Sequence, residues 1–378
     1  MIETTSVSNN NVRDWLTLER IPLVGPLTIA KLIEAFGCPE KILKANARSI
    51  RERSGISERL SNSISCFNPV ASEIEKDLTT LERLKVRIVT RWDEGYPENL
   101  KDIYDPPALL FVRGSLLPKD SRAVAMVGTR NPTGYGVEFA KSITSDLVRS
   151  DFTIISGLAR GIDTTCHQSA LKAGGRTIAV LGCGLDISYP RENDNLVQRI
   201  VESGAVISEF RPGIAPLKTN FFRRNRIVSG LSRAVVVVQA SKKSGSLITA
   251  SHALDQNRDV FAVPGNITNE RSRGPHYLIK QGAGLVESAD DILASLITSE
   301  VGNVSGCCSS FQDARRDEEV SETAQLILDF LDLDPTPIDL MCESIKIEPG
   351  RLLGSLLELE LLGLVKQSPG KMFSRVRV

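Results

Sequence analysis

Short apolar runs, separated by amphipathic stretches, dominate the middle of the chain. The runs are rich in β-branched residues and read AVAMVGT, FTIISG, TIAVLG, AVISEF, AVVVVQA and DVFAVPG. The stretches between them have helical periodicity, as in YGVEFAKSITSDLVRS and NDNLVQRIVESG. Continuous apolar strands that alternate with helices indicate a parallel sheet with helices on both faces. The pattern therefore predicts a doubly wound parallel α/β domain over about residues 121–297.

Helical periodicity without strands characterises the N-terminal part of the chain, from Val12 to about Cys66. A glycine-containing turn, Leu23 to Pro26, joins two predicted helices there, and Lys31 supplies a cation close by. In helix-hairpin-helix modules such a turn exposes backbone N–H groups that can bind a phosphate. Any two packed helices also need a turn, so a scaffold role and a DNA-contact role both stay open.

The C-terminal part of the chain changes in character twice. The polar, serine-rich stretch SEVGNVSGCCSSFQDARRDEEVS has no periodicity, which is typical of a linker. Three helical segments and two short strands around SPGK follow, in the order of a small winged-helix module. The sequence thus predicts an N-terminal helical domain of the helix-hairpin-helix type at 1–75, an extended Rossmann-like domain at 76–298, a linker at 299–320 and a winged-helix-like domain at 321–378.

Composition limits the function classes. The chain has 46 basic and 46 acidic residues, so any binding of a polyanion must come from a local cluster of cations. Its seven cysteines are scattered without a paired C-x-x-C pattern, and its three histidines form no metal-ligand motif, so we expect free thiols and neither a metal nor a cofactor. Neither a secretory signal nor an apolar run of 18 residues is present, which predicts a cytoplasmic protein outside the membrane.

Ligands bind open parallel sheets at the carboxyl ends of the strands, so the loops there are the candidate sites. In VGTRNPTGYG, Gly128 and Thr129 follow a strand, and Asn131 or Thr133 can cap the next helix. Arg130 adds positive charge, so a phosphate could bind at that helix start. The spacing is not G-x-G-x-x-G, and a dinucleotide is not predicted. A tight strand-to-helix turn explains the glycines as well as phosphate binding does.

Two further strand exits have a similar composition. Their candidate residues are Ser156, Gly157, Gly161 and Asp163 in SGLARGID, and Gly245, Ser246 and Thr249 in SKKSGSLITA. Both combine small residues with a predicted helix start, and SKKSGSLITA lacks the frame of an ATP-hydrolysing phosphate loop. Cys166 and His167 are adjacent on a predicted helix, where their side chains diverge, so we expect a packed histidine rather than a catalytic dyad.

The segment NFFRRNRIVSG places cations beside aromatic rings. The residues concerned are Lys218, Phe221, Phe222, Arg223, Arg224, Asn225 and Arg226. Cations that follow a phosphate backbone, next to rings on which bases stack, are the parts of a single-stranded DNA site, where each stacked base contributes about 1 to 3 kcal/mol. A solvated basic loop is the alternative. We predict that Arg224 and Arg226, at a helix start, bind phosphates and that Arg223 is solvated; Arg130 and Lys218 complete the cations, and one of the two rings stacks a base.

Together these segments resemble the DprA (Smf) family of DNA-processing proteins. The resemblance is carried by VAMVGTRNPTGYG, ISGLARGIDTTCHQSALKAGGRTIAVLGCGLDISYPREN, FFRRNRIVSGLS and SGSLITASHALDQNRDVFAVPGNI, and it covers about Asp14 to Arg377. It implies an extended Rossmann-like core that binds single-stranded DNA, forms a homodimer and catalyses no reaction. It also implies a role in natural transformation, in which the protein protects incoming strands and helps to load the RecA recombinase.

The chain departs from the family pattern at several positions. They are Gln239, where glutamate is usual, His252, where arginine is usual, and Pro275 with His276, where the family has Cys-Asn. These departures concern the rim of the expected pocket. In the predicted third helix of the winged-helix module, Arg351 is outnumbered by Glu358 and Glu360, so contact with a protein is expected there rather than contact with DNA.

The competing hypothesis is a nucleotide-hydrolysing Rossmann enzyme similar to the phosphoribohydrolases. Those enzymes have a P-G-G-x-G-T-x-x-E loop, whose carboxylate does chemistry. The corresponding loop here is SGSLITAS, which has no glutamate at the equivalent place. Release of free base from nucleoside monophosphates would separate the two hypotheses.

Overall fold

The structure of the protein is a computed structural model. It describes residues 9–302, 326–327, 330–331, 336–345, 347, 349–361, 365–368 and 372–375. The chain divides into two compact units, Met1–Ser299 and Glu300–Val378. The linker predicted at 299–320 lies almost entirely outside the described residues. Among the helices of the described ranges, none is long and apolar enough to cross a membrane.

The first unit begins with helices. They are α1 (Asn9–Arg20), α2 (Pro26–Phe36), α3 (Pro39–Leu43), α4 (Ala47–Ser54), α5 (Glu58–Ser65) and α6 (Ala71–Arg83). The apolar faces of α1 to α5 meet in one cluster, which also includes Ala108 and Leu109 at the start of a strand of the large sheet. α6 packs with α1 in a second cluster. The helices therefore pack against the sheet edge, and the predicted domain boundary at residue 75 stays a prediction.

Nine strands of the described chain form one sheet. They are β1 (Val86–Thr90), β2 (Leu109–Gly114), β3 (Ala123–Val127), β4 (Thr153–Ser156), β5 (Thr177–Leu181), β6 (Ala205–Ser208), β7 (Ala234–Val237), β8 (Asp259–Ala262) and β9 (Gly284–Leu285). Their spatial order is β1-β2-β6-β5-β4-β3-β7-β8-β9. β2 pairs antiparallel with β1 and β6, and the other pairs are parallel. The sheet is thus mostly parallel, as predicted, with an antiparallel edge.

Helices cover both faces of this sheet. They are α7 (Glu98–Lys101), α8 (Gly134–Arg149), α9 (Ile162–Lys172), α10 (Asp194–Ser203), α11 (Lys218–Gly230), α12 (Ser246–Asp255), α13 (Arg273–Lys280) and α14 (Ala289–Gly302). Alternate residues of β3 serve the two faces: Ala125 packs in the core that includes α11 and α12, and Met126 in the core that includes α8 and α9. Burial on both sides explains why the predicted strands are continuous apolar runs.

The second unit has the layout of a winged helix. Its described elements are β10 (Thr336–Pro337), α15 (Ile338–Ile345), α16 (Pro349–Leu361), β11 (Val365–Ser368) and β12 (Met372–Arg375). The three strands are antiparallel in the order β10-β12-β11. α15 and α16 confirm the second and third predicted helices, and the first lies mostly outside the described residues. The charge argument on Arg351, Glu358 and Glu360 stays a prediction.

Candidate nucleic-acid interface

A cavity of about 280 Å³ opens where β3, β4 and β5 end. We call it the strand-end pocket. Its lining residues are Arg130, Asn131, Gly157, Leu158, Ala159, Arg160, Tyr189, Pro190, Phe221 and Arg224. Loops after three neighbouring strands therefore meet one face of α11 there. Carboxyl ends of parallel strands are the usual place for a ligand in such a sheet.

Arg224 forms the buried cationic part of the pocket. Only 5% of the residue is exposed. Its Nη1 donates to the carbonyl oxygen of Gly157 and, at 2.6 Å, to that of Val180. Burial lowers the pKa of Arg224, and the nearby Asp163 raises it in part. Because a Cβ at position 157 would strike the guanidinium, glycine is needed at that close approach.

Asp163 accepts hydrogen bonds from the backbone of the turn at Gly157. Its Oδ2 accepts from the backbone N–H of Gly157 at 3.1 Å and of Ala159 at 3.3 Å. Burial raises the pKa of Asp163, while Arg224 and these N–H groups lower it in part. The Gly157 N–H is therefore bound by the protein, and Gly157 contributes position rather than a free phosphate donor. Asp163 was expected to cap α9, but the N-cap is Gly161, and Asp163 lies in the first turn of the helix.

Aromatic rings form the adjacent wall. The Phe221 and Tyr189 rings lie 5.4 Å apart with a 41° tilt. The guanidinium carbon of Arg130 is 5.9 Å from the Phe221 centroid, and that of Arg224 is 5.6 Å away. A Cβ at Gly182 would come within 2.8 Å of the Phe221 ring, so the missing side chain makes room for it. Ring faces beside cations fit a ligand that is both planar and anionic.

Arg130 is exposed on the loop between β3 and α8. Thr133 caps α8, since its Oγ1 accepts from the Gly136 N–H at 3.2 Å, which confirms that prediction. Gly161 has φ of +79°, and a Cβ there would strike the backbone of Thr129 and Arg130. This glycine therefore lets the loops after β3 and β4 lie against each other, which brings Arg130 over the pocket.

The arginines of NFFRRNRIVSG do not share one site. Arg226 lines a different cavity, of about 460 Å³, near the start of α2. Its Nη2 donates to Glu209 at 2.6 Å and its Nε to Asp105 at 2.8 Å, so two carboxylates occupy the guanidinium. Arg223 is half exposed and lies 3.4 Å from Glu209. The prediction of a helix start at this point is wrong, because α11 begins at Lys218; the structure also does not bring Arg226 to the strand-end pocket.

Several other predicted residues lie outside the pocket lining. They are Gly128, Thr129, Ser156, Gly161, Lys218, Asn225, Gly245, Ser246 and Thr249. Ser156 is fully buried and its Oγ donates to the Met126 carbonyl oxygen at 2.6 Å, so its hydroxyl is used within the fold. The Asn225 side chain donates to the Gly245 carbonyl oxygen at 3.3 Å. The Gly-Ser loop thus contacts α11 beside the pocket rather than lining it.

Two side chains of the pocket that carry a ring or a charge, Tyr189 and Arg160, were not predicted from the sequence. Tyr189 comes from the loop after β5, and Arg160 from the loop after β4. Arg160 pairs with Glu192 at 2.7 Å, and both side chains are at least half exposed. The available signals were an aromatic residue in the strand exit GCGLDISYP and the single arginine of SGLARGID. The distance in sequence from Phe221 hid their relevance.

Cys166 and His167 form no catalytic dyad. Both are fully buried. Burial raises the pKa of the Cys166 thiol to about 12, so it stays protonated. The Thr177 hydroxyl donates to the Ile154 carbonyl oxygen, so His167 Nδ1, 2.6 Å away, is the donor to Thr177. The expectation of a packed histidine is confirmed.

Acidification is expected to weaken the fold through His167. Burial lowers its pKa from 6.5 to about 3, so the folded state keeps the ring neutral. The stabilisation is complete above the unfolded pKa and is lost as the pH falls below it, since the unfolded state then binds the proton. Between pH 7 and pH 5 the free energy of unfolding of the native protein should fall by about 2 kcal/mol more than that of a His167→Gln variant. Denaturant unfolding at both pH values measures this, and equal losses would contradict it.

The departures from the family pattern were expected at the rim of the pocket, but none of the four residues is among those that line it. Gln239 is buried two residues after the end of β7 and contacts Thr133. His276, in α13, accepts from the Gly265 N–H through Nε2 at 3.3 Å. His252 is half-buried in α12, and burial lowers its pKa. Among the described residues, no three His, Cys, Asp or Glu side chains are grouped to hold a metal ion.

Two family models match two separate parts of the chain. A family model described as DNA recombination-mediator protein A matches residues 87–297, and one described as DprA winged helix domain matches residues 312–371. Protein Smf from Synechocystis is 34% identical over 402 residues, which cover 98% of this chain and 100% of that protein.

Two solved structures are also similar to this chain. The crystal structure of DNA processing protein A from Streptococcus pneumoniae has a TM-score of 0.66 and 36% identity, and covers 75% of this chain and 97% of that one. A structure of the Helicobacter pylori protein, determined for its single-stranded DNA binding mode, has a TM-score of 0.52 and 29% identity, over 57% and 97%. The chain is thus of the class of α/β recombination mediators that carry a winged-helix domain. It belongs to the DprA (Smf) family.

Proposed function

We propose that the protein binds single-stranded DNA through the strand-end pocket and acts without catalytic turnover. In natural transformation and recombination it would protect incoming strands and help to load the RecA recombinase, as a homodimer in the cytoplasm. The observation that carries the proposal is the convergence of Arg130, Arg160 and Arg224 on the Phe221 and Tyr189 rings. The ligand class named for the Helicobacter pylori relative supports it.

Charge and shape favour a strand over a duplex. The pocket is a recess with ring faces on its wall, and bases stacked inside a duplex cannot reach such rings. Cations within it attract phosphates although the whole chain has 46 residues of each charge. Binding would therefore depend strongly on salt, because each neutralised phosphate releases counterions.

Nucleotide hydrolysis is less well supported. The described residues that line the pocket include no carboxylate. Asp163 lies behind the Gly157 turn, where backbone N–H groups and Arg224 engage it. A hydrolase of this kind needs a carboxylate at the scissile bond.

Three measurements test the proposal. A labelled oligothymidylate and a hairpin duplex of equal length are titrated with the full chain at several salt concentrations. We expect tighter binding of the single strand, with affinity that falls as salt rises. Equal or weaker binding of the single strand would overturn the proposal, and release of free base from nucleoside monophosphates would favour the hydrolase instead. The rate of RecA filament assembly on the oligonucleotide, with and without the protein, tests the loading role.

Glu192→Gln is expected to strengthen binding of the oligonucleotide. The carboxylate of Glu192 holds Arg160 at the pocket rim in an exposed ion pair. Such pairs contribute about 0 to 1 kcal/mol, so releasing Arg160 to a phosphate should raise affinity about two- to threefold. Glu138→Gln is the control, because Glu138 forms a similar exposed pair with Lys141 on α8. Unchanged or weaker binding by the Glu192 variant would show that Arg160 does not meet the strand.

A further inference from the structure

The order in which the chain adds strands to the sheet reverses between β3 and β7. From β3 it continues to β4, β5 and β6 on one side, and β7 then returns to the other side of β3. In open α/β sheets the crevice outside such a reversal is the usual place for a ligand. In this protein the side chain of Gln239, only 2% exposed, lies there.

Gln239 forms hydrogen bonds with Thr129 and Thr133, the two ends of the loop that carries Arg130. Its backbone oxygen accepts from the Thr129 N–H at 2.7 Å. Its side-chain Oε1 accepts from the Thr133 N–H at 3.0 Å, and its Nε2 donates to Thr133 Oγ1 at 2.8 Å. An amide is suited to this position, because it offers an acceptor and a donor from one planar group. Alanine would retain the backbone bond and lose the other two.

Neighbouring contacts make the amide hard to replace. A Cβ at Gly136 would strike the Gln239 side chain, so the first turn of α8 packs directly on the amide. Arg271 Nε donates to the Asn131 carbonyl oxygen at 2.6 Å, and the N–H of Ala240 donates to the Arg271 carbonyl oxygen. The loop is thus fixed at its ends by Gln239 and near its middle by Arg271. Gln239 itself is not part of the pocket lining.

We propose that Gln239 is a positioning residue for single-stranded DNA binding: its side-chain amide fills the crevice between β3 and β7 and fixes the loop that presents Arg130 to the strand-end pocket. The inference rests on the proposed function. If the inference is correct, replacing Gln239 weakens DNA binding only when Arg130 is present, because the amide itself does not contact the DNA strand.

The test combines hydrogen exchange with a double-mutant cycle in the full chain. Gln239→Ala should speed exchange of the amides at 129–136 by about tenfold through the lost hydrogen bonds. Oligothymidylate affinity should fall about fivefold in the native background and less than about twofold in the Arg130→Ala background. Gln239→Glu keeps an acceptor for the Thr133 N–H and should restore slow exchange.

Asn99→Ala is the matched control. The Asn99 amide also ties backbone segments together, by donating to the carbonyl oxygens of Ser121 and Leu231, but it lies away from the Arg130 loop. It should leave both exchange at 129–136 and affinity unchanged. Native exchange in Gln239→Ala, or equal losses of affinity with and without Arg130, would overturn the inference. A native protein that does not bind the oligonucleotide would contradict the proposed function, which is a different result.

Discussion

Replacing Arg224 by alanine is expected to lower the free energy of unfolding by about 3 to 5 kcal/mol, because two buried carbonyl oxygens lose their donor and a large buried side chain is removed. The guanidinium is almost fully buried, bonds to two backbone carbonyl oxygens and lies near the buried Asp163. Alanine removes the positive charge near Asp163 and opens a void beside the Gly157 turn. Binding of single-stranded DNA should be lost with it. Denaturant unfolding and oligonucleotide titration measure the two effects.

Arg176→Ala is the matched control for this result. Arg176 is also nearly buried, with a side chain 13% exposed that pairs with Asp120 at 2.8 Å. It bonds to the backbone of Ser203 and Ser115, remote from the strand-end pocket. This variant should lose stability but bind the oligonucleotide normally once folded. If Arg224→Ala does not fold, Arg224→Lys, which keeps the charge and loses the fork of donors, is compared instead. Native affinity in a folded Arg224 variant would contradict the prediction.

Phe221→Leu is expected to weaken oligonucleotide binding by about 1 to 3 kcal/mol, the contribution of one stacked base. Leucine keeps an apolar side chain in the pocket but removes the ring face beside Tyr189 and the two arginines. The loss should persist at high salt, because stacking does not release counterions. Fluorescence anisotropy at two salt concentrations measures it.

Phe139→Leu provides a close control. Phe139 is also half-buried, and its ring lies 6.2 Å from that of Tyr135 with a 40° tilt, an arrangement much like that of Phe221 and Tyr189. It lies in α8 and packs against the core on that face of the sheet, outside the pocket. The control variant should bind as the native protein does. Equal affinities of the Phe221 and Phe139 variants would show that no base stacks on Phe221.

The central strands were predictable because their surroundings are uniform. β3 to β8 are buried on both faces, so each is a continuous apolar run that stands out in the sequence. β1 was not predicted, since it lies at the antiparallel edge and is only partly buried. α11 was predicted to begin too late. Its polar residues contact two cavities and solvent, so no single apolar stripe marks its first turns.

The division of the arginines could not be read from the sequence. Arg226 is buried because Asp105 and Glu209, which are 121 and 17 residues away, meet it in the fold. Arg224, two residues before it, projects to another side of α11, because successive helical residues differ by about 100°. Local charge indicated a cluster of cations, and only the tertiary structure assigns them to different cavities. Arg130 was predicted to complete a site with the basic segment, and its guanidinium lies 5.9 Å from the Phe221 ring in the pocket.

The salt dependence of oligothymidylate binding by Arg130→Ala tests the central claim most directly. Arg130 is exposed, so its loss should leave the fold intact. Arg149→Ala is the control, since Arg149 is an exposed arginine at the far end of α8 that pairs with Asp146. If the strand-end pocket binds the phosphate backbone, the slope of log affinity against log salt should fall by about 0.7 to 1 for Arg130→Ala and stay native for Arg149→Ala. Native slope and affinity in the Arg130 variant would contradict the account.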